Sequence, residues 1–430
     1  MEARRTTDHR AAKIGLSILQ FLLKDYHPRD FAVRLWDGST WDPEVGQPRR
    51  YTMVIRHAGA LRNMFSLAGE RALGQAYIYD DFDIEGDLEN ALPMAEHLFR
   101  LRLSIADRIR LASLLLRLPS VKTPRLGRQA ARLKGKAHSI ERDREAVTYH
   151  YNTSNDFFAF YLDKRMVYSC AYFGAPDEDL DSAQERKLDY ICRKLRLKQG
   201  ERLLDIGCGW GGLIIHAAEK YGASALGITL SEPQAELANA RIRQKGLADR
   251  CKAEVRDYRK VDSSESFDKL ASIGMVEHVG ERMLPDYFKQ AWRLLRPGGV
   301  FLNHGIAYRR ERSSDASRSF SQAYVFPDGD PVPIDVSTRI AEDVGFEIRD
   351  VESLREHYLL TLRHWVRRLE SHYGEAVRAT NEATYRVWRL FMSASARAFE
   401  IGMYNVYQSL LVKPDRGRSG LPLTRADWYR

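Results

Sequence analysis

The chain has 430 residues, 44% of them hydrophobic and 29% charged, with a formal net charge of +9 and a pI near 9.2. That length supports two or three domains with a large core, and the composition is that of a soluble globular protein. No apolar run reaches the roughly 18–20 residues of a bilayer span, and the four cysteines (Cys170, Cys192, Cys208, Cys251) show neither a CxxC pair nor metal-ligand spacing.

The opening "MEARRTTDHR" has no apolar stretch behind its charges, which predicts no secretory signal and a reducing cytoplasm, with no disulfide framework and no metal. Apolar residues at helical spacing predict a helix through "AAKIGLSILQFLLKDY". Strands are expected in "FAVRLWDG" and "YTMVIRH", with Asp37-Gly38 as turn chemistry between them. "ALGQAYIYDDFDIEGDLENAL" mixes aromatics with acids, ends in a predicted helix and carries no catalytic signature. Residues 1–115 therefore read as a small α+β module. The polar, arginine- and lysine-rich stretch that follows, 116–146, reads as a basic linker or surface arm. Such an arm suits anionic head groups, at about 1 kcal/mol per Lys or Arg. No zinc-finger, RNP or recognition-helix pattern occurs, so nucleic acid is not the expected anion.

From 147 to 430 the pattern changes. "RLLDIG", "SALGITL", "CKAEVRD", "FDKLASIG" and "GGVFLNHGI" are apolar runs of strand length, and helical stretches such as "LIIHAAEKYG" and "PQAELANARIRQK" lie between them. This alternation predicts an α/β, doubly wound parallel sheet. The helical, aromatic region after 308, including "TLRHWVRRLESHYG" and "YRVWRLFMSASARAFEIGMYNVYQSLLV", is expected to cover one edge of it.

Within "LLDIGCGWGG", Gly207, Gly209 and Gly212 have GxGxxG spacing at a strand-to-helix junction, where glycine permits a tight turn and close ligand approach. Alone the motif is weak. Asp205 just before the first glycine, and the lack of a second nucleotide-binding half, move the reading from a dinucleotide toward S-adenosylmethionine, whose cationic amino-acid end a carboxylate can meet. The ribose-binding acid expected about 20 residues on is replaced by Thr229, Ser231 and Gln234 in "GITLSEPQ", with Glu232 the carboxylate nearby. Read without other knowledge, Glu277-His278 is a helix-start acid, His304 a core histidine and Tyr358 a packing residue.

With these pieces placed, the chain resembles the cyclopropane-fatty-acyl-phospholipid synthases and the related mycolic-acid methyltransferases from about 147 to 410. The resemblance rests on "HYNTSNDFFAFYLDKRMVYSCAYF", "LDIGCGWGG", "GITLSEPQ", "SIGMVEHVG", "RPGG", "NHGIA" and "HYLLTLRHW". "LGQAYIYDDFDIEGDL" is similar to the accessory domain of the longer bacterial synthases. It implies a Rossmann-like class I methyltransferase domain with helical cover behind a smaller α+β domain. It further implies cofactor contacts at Tyr168, Ser169, Gly207, Gly209, Thr229, Leu230 and Gln234. A bicarbonate pocket is implied at Cys170, Glu277, His304, Tyr358 and the backbone of Ile306, so that Cys170 is a hydrogen-bonding wall, neither nucleophile nor metal ligand.

The implied activity is methylene transfer from S-adenosylmethionine to the cis double bond of phospholipid acyl chains, with ring closure through a carbocation deprotonated by bicarbonate. The implied setting is the cytoplasmic face of the inner membrane, with peripheral attachment to anionic lipid and a possible homodimer. A fatty-acyl C-methyltransferase making methylene- or methyl-branched chains, a small-molecule N-methyltransferase and a non-enzymatic scaffold stay open beside it. One departure is "YVFPDGDPVPI" (324–334), where the family usually has a pattern like "YIFPGGxLPS" near the acyl-binding region.

Overall fold

The computed structural model describes residues 2–65, 69–151, 153–309 and 319–429. The chain divides into two compact units. The first gathers the chain up to Ala130, a short helix at 320–324 and Thr380–Arg397; the second takes the rest. This division cuts across the expected limits of 1–115, 116–146 and 147–430.

In the first unit, helix α1 (Glu2–Leu22) packs Ile18, Leu19 and Leu22 against a four-stranded sheet. Its strands are β1 (Ala32–Arg34), β2 (Thr40–Trp41), β3 (Tyr51–Ile55) and β4 (Phe82–Gly86), in the order β2-β1-β3-β4. The Asp37-Gly38 turn joins β1 to β2, and β1 lies parallel to β3. The two anticipated strands are therefore neighbours without being a hairpin. Helices α2 (Ala60–Phe65), α3 (Glu70–Ile78), α4 (Leu92–Arg100) and α5 (Ile105–Leu116) complete the layer.

The arginine-rich stretch is not a free arm. Thr123 donates to Asp81, Asn63 reaches the Val121 carbonyl at 3.2 Å, and the Arg128 guanidinium lies 4.6 Å over Trp388. Part of its far end is helical, within α6 (Ile140–Tyr151). Residues 380–397 belong to the first unit because Arg386 and Arg389, both buried, satisfy carbonyls there. Arg386 donates to Tyr77 O at 2.9 Å and to Asp83 at 3.1 Å, and Arg389 to Gly86 O at 2.9 Å.

The second unit is built on seven strands: β5 (Arg202–Ile206), β6 (Ser224–Thr229), β7 (Cys251–Val255), β8 (Phe267–Ile273), β9 (Leu295–Tyr308), β10 (Glu347–Ser353) and β11 (Tyr404–Val412). Their order is β10-β11-β9-β8-β5-β6-β7. The first five pair in parallel, while β11 runs antiparallel between β9 and β10. Successive side chains of a strand face opposite sides. Leu203 accordingly joins the core beneath α8 (Leu180–Leu195), α9 (Gly212–Tyr221) and α10 (Glu232–Gln244), and Leu204 the core beneath α11 (Leu284–Leu294) and α13 (Ile334–Val344). The predicted α/β sheet is present with helices on both faces.

The region read as all-helical after 308 instead supplies two strands along with α14 (Arg355–Ser371) and α16 (Glu382–Glu400). Gly402, at φ +69°, separates α16 from β11. Beyond it "YNVYQSLLV" is a buried strand sequence that an apolar count alone cannot distinguish from helix.

Candidate active site

The carboxyl ends of β5 and β6 open onto a cavity of about 160 Å³. At roughly 10–15 Å³ per water on this scale it is far larger than a solvent site. All eight expected cofactor contacts line it: Tyr168, Ser169, Asp205, Gly207, Gly209, Thr229, Leu230 and Gln234. Gly207 has φ +85°, and a Cβ there would stand 3.1 Å from the Met275 side chain, so both the turn and the close approach require glycine. At the end of β6, Thr229 donates its hydroxyl to the Gln234 carbonyl at 2.8 Å, while the Ser231 amide donates to Thr229 at 3.2 Å. A neutral, internally bonded pair thus stands where the general pattern has a ribose-binding acid, at the position where the sequence showed its replacement.

Asp205 is 3% exposed and its Oδ1 has no hydrogen-bond partner. Burial pushes its carboxyl up to about 7, with Lys187 opposing the shift. Lys187 was not anticipated from the sequence. It lies on α8, 1% exposed, and donates to Ser169 Oγ at 2.8 Å. Burial brings its ammonium down to about 8 against the pull of Cys170, Asp163 and Asp205. The available signal was the α8 stripe: Gln184, Lys187 and Leu188 share the i, i+3, i+4 face that enters the core.

Glu277 sits in the single 3-10 turn Val276–His278 that follows β8. Its Oε1 accepts the Ile306 amide of β9 at 2.7 Å, and its Oε2 is buried without a partner. Burial pushes this carboxyl up to about 7, with the Ile306 amide working the other way. Gly305 makes the approach possible, since a Cβ there would lie 2.1 Å from Val276 Cγ1. Cys170 is fully buried, and its thiol donates to Ala171 O at 3.2 Å and Leu354 O at 3.7 Å. Burial drives its pKa far upward, so it is a protonated thiol and a poor nucleophile. The Leu354 carbonyl also accepts the Tyr358 amide at 3.0 Å, joining Cys170 to the start of α14.

Burial raises the Tyr358 phenol, and Tyr168, Cys170, Glu277 and Tyr151 are its electrostatic neighbours. Tyr151 and Tyr168 line the cavity, so this polar group is continuous with it. Cys170 and Glu277 are thus electrostatic neighbours of Tyr358, and the Ile306 amide is bonded to Glu277. His304 is 1% exposed on β9, with Nδ1 3.2 Å from Gln408 Nε2 of β11 and Nε2 without a partner. Burial, aided by Lys187 and Lys194, lowers its pKa well below the usual range and keeps the ring neutral. Among the described residues no hydrogen bond links His304 to Glu277, Cys170 or Tyr358. The Ile306 amide is committed to Glu277, so it anchors that carboxylate instead of presenting a free donor.

Aromatic rings surround this region. Tyr168 and Trp365 centroids lie 5.1 Å apart, Tyr358 and Trp365 6.0 Å, and Phe158 and Trp210 5.0 Å. The departing segment "YVFPDGDPVPI" forms part of the wall. Pro327 and Asp328 line the cavity, Phe326 stacks on His150 at 4.0 Å, and the Asp330 amide donates to Glu277 O at 2.8 Å. Arg142 of α6 clasps Asp328 through two bonds of 2.5 and 2.8 Å, and Arg259 joins Asp143 at 2.9 Å. The extra acid of this segment is thus a fastening between α6 and the cavity wall.

The profile described as "Mycolic acid cyclopropane synthetase" matches residues 138–409. A "Probable fatty acid methyltransferase" of Pseudomonas putida is 37% identical over 402 residues, 93% of this chain and 96% of that protein. "Probable fatty acid methyltransferase Rv3720" of Mycobacterium tuberculosis is 35% identical over 415 residues, 94% of this chain and 95% of that protein. Among solved structures, the mycolic acid cyclopropane synthase CmaA1 complexed with SAH and CTAB superposes with a TM-score of 0.59 at 33% identity, covering 62% of this chain and 97% of that one. The chain belongs to the mycolic acid cyclopropane synthetase family, and its second unit has the class I methyltransferase fold.

Proposed function

We propose that this family member, an S-adenosylmethionine-dependent methyltransferase acting on lipid, adds a methylene group across the cis double bond of unsaturated phospholipid acyl chains and closes a cyclopropane ring. The observation that carries the reading is the buried Glu277 carboxyl, whose Oε1 is fixed by the Ile306 amide and whose Oε2 has no partner, with the fully buried Cys170 thiol and the Tyr358 phenol in its electrostatic neighbourhood. S-adenosylmethionine, when bound, supplies an electrophilic methyl. Asp205 would meet its cationic amino group, Lys187 steadies Ser169, and the Thr229–Gln234 pair would offer neutral polar contacts to the ribose.

An alkene is a weak nucleophile, so alignment and exclusion of water must do most of the work. Tyr168 lines the cavity with Trp365 and Tyr358 in ring contact behind it, and such aromatic faces would stabilise the positive charge that methylation leaves on the acyl chain, each by roughly 0.5–2 kcal/mol. Ring closure then requires a proton to leave the added methyl. The orphaned Glu277 Oε2 suits the hydroxyl of a small oxyanion such as bicarbonate, which Glu277, Cys170 and Tyr358 would hold and which would supply a base. With its carboxyl near 7, Glu277 is poised to accept a proton at Oε2, while its bond to the Ile306 amide keeps it oriented.

The protein works as a peripheral protein at an anionic, cytoplasm-facing membrane surface. The net charge of +9 supports this, and no helix of the described residues is long and apolar enough to cross a bilayer. A second reading, a methylene- or methyl-branched product, is favoured by the names of the two full-length relatives, both fatty acid methyltransferases. Expression in a bacterium lacking such an enzyme, followed by mass and proton NMR analysis of total acyl chains, decides between them. A gain of one CH₂ with upfield ring protons supports cyclopropanation; olefinic methylene or branched-methyl signals establish the second reading. Unchanged lipids sink both.

A further inference from the structure

Helix α5 begins behind Ser104, whose hydroxyl accepts the Asp107 amide at 3.1 Å. Leu115 is its buried anchor in the first unit, with Leu111 and Leu114 packed beside it. At about 100° per residue, Ile105, Ile109, Ala112 and Leu116 fall within one narrow arc on another face. That arc faces solvent: Ile105 is 79% exposed, Ile109 66% and Leu116 69%. A helix that only covers a core carries polar residues there, and an apolar stripe left in water marks an interaction surface.

The stripe is bordered by cations. Between Arg100 and Arg117 stand five arginines against one aspartate, a net +4, and Ser104 Oγ holds that Asp107 at 2.7 Å. Arg110 lies 5.0 Å over the Phe21 ring, and among the described residues Arg100, Arg102, Arg108 and Arg117 make no ion pair. Apolar centre and unpaired guanidinium rim match the two layers of an anionic bilayer surface, acyl chain below and phosphate above. A second copy of the chain is a poorer match, because a two-fold contact through this patch offers the arginines no carboxylates to meet.

We propose that the exposed face of α5 docks the protein onto anionic phospholipid bilayers, with Ile105, Ile109 and Leu116 entering the acyl–head-group boundary and the arginines at the lipid phosphates. This deepens, and rests on, the peripheral-membrane reading above. The test uses the full chain and phosphatidylcholine vesicles with and without phosphatidylglycerol. Binding is followed by co-sedimentation, and an environment-sensitive dye is placed on an Ile109→Cys variant. The combined variant Ile105→Ser, Ile109→Ser, Leu116→Ser is expected to bind vesicles at least about tenfold more weakly. Each of Arg102→Glu and Arg108→Glu is expected to lose about fivefold or more on phosphatidylglycerol vesicles alone. The dye at 109 should shift to the blue on vesicle addition. Circular dichroism and S-adenosylhomocysteine binding confirm that the variants fold. Vesicle binding with an unshifted dye and unaffected variants would overturn the assignment to α5 while leaving the membrane reading intact. No vesicle binding by the parent protein would overturn both. A change in oligomeric state of the combined variant with vesicle binding preserved would reassign the face to self-association.

Discussion

Replacing Asp205 with asparagine separates the two consequences of burying a carboxylate beside a cofactor. The carboxyl sits near 7 in the folded protein against an ordinary 3.8. Below about pH 4 it is protonated in both folded and unfolded chains and costs nothing. As pH rises toward 7, the unfolded chain releases a proton that the folded one retains, so stability falls, and above about 7 the loss is constant. Three pKa units at about 1.4 kcal/mol each give a penalty on the order of 4 kcal/mol at pH 8, already including the favourable pull of Lys187. Asparagine has nearly the same shape and no such penalty, but it leaves the buried Lys187 with less compensating charge, which returns part of the gain. The net expectation for Asp205→Asn without cofactor is about 1–3 kcal/mol more stable at pH 8, roughly 2–6 °C in Tm, with little gain at pH 5. Cofactor affinity at pH 8 should fall by about 10–100-fold, the worth of a lost charged hydrogen bond. Calorimetry across pH 5–8 on both proteins, with titration of S-adenosylhomocysteine, reads each effect. Parallel stability curves for the two proteins would refute the reasoning, because they would mean that the Asp205 proton is not linked to folding.

Glu277→Gln keeps the acceptor for the Ile306 amide but removes the proton-accepting oxygen; kcat should drop about a hundredfold or more in lipid turnover assays while S-adenosylhomocysteine affinity stays nearly unchanged. Arg142→Ala and Asp328→Asn each release the same clasp, so either should speed cofactor dissociation several-fold in stopped-flow measurements. The double variant should be little worse than the singles, with a coupling of about 1 kcal/mol for this partly exposed bidentate pair. All four cysteines are buried thiols, and burial raises the pKa of each. Intact protein at pH 8 should therefore resist iodoacetamide by mass spectrometry and react fully once unfolded.

Local features were readable from the sequence where local physics governs them. The β5 run followed by Gly207 and Gly209 specifies a strand, a turn and a close ligand approach within a few residues, and those glycines stand where the spacing put them. The five parallel strands and their connecting helices follow from the same alternation of apolar periods. The β11 strand was misread because "YNVYQSLLV" continues an apolar helical pattern, and its placement between β9 and β10 depends on partners some 50 to 100 residues away. The N-terminal strands were found but their pairing was not, since a turn signal between two runs does not say which strands it joins.

The candidate site divides along the same line. Residue type and motif alone marked Asp205, the glycines and the Thr229–Gln234 replacement, because their roles follow from what each side chain offers at the end of a strand. Only the folded chain could reveal that a lysine from α8 reaches Ser169 beside Asp205, that Arg142 fastens Asp328, and that the Ile306 amide fixes Glu277 through the space left by Gly305. Those contacts join residues 18 to 186 positions apart, and burial supplies the electrostatics that no isolated motif carries. Side-chain chemistry travels with the sequence; charge state and proximity belong to the packed interior, where water has been removed and distant segments share one low-dielectric space.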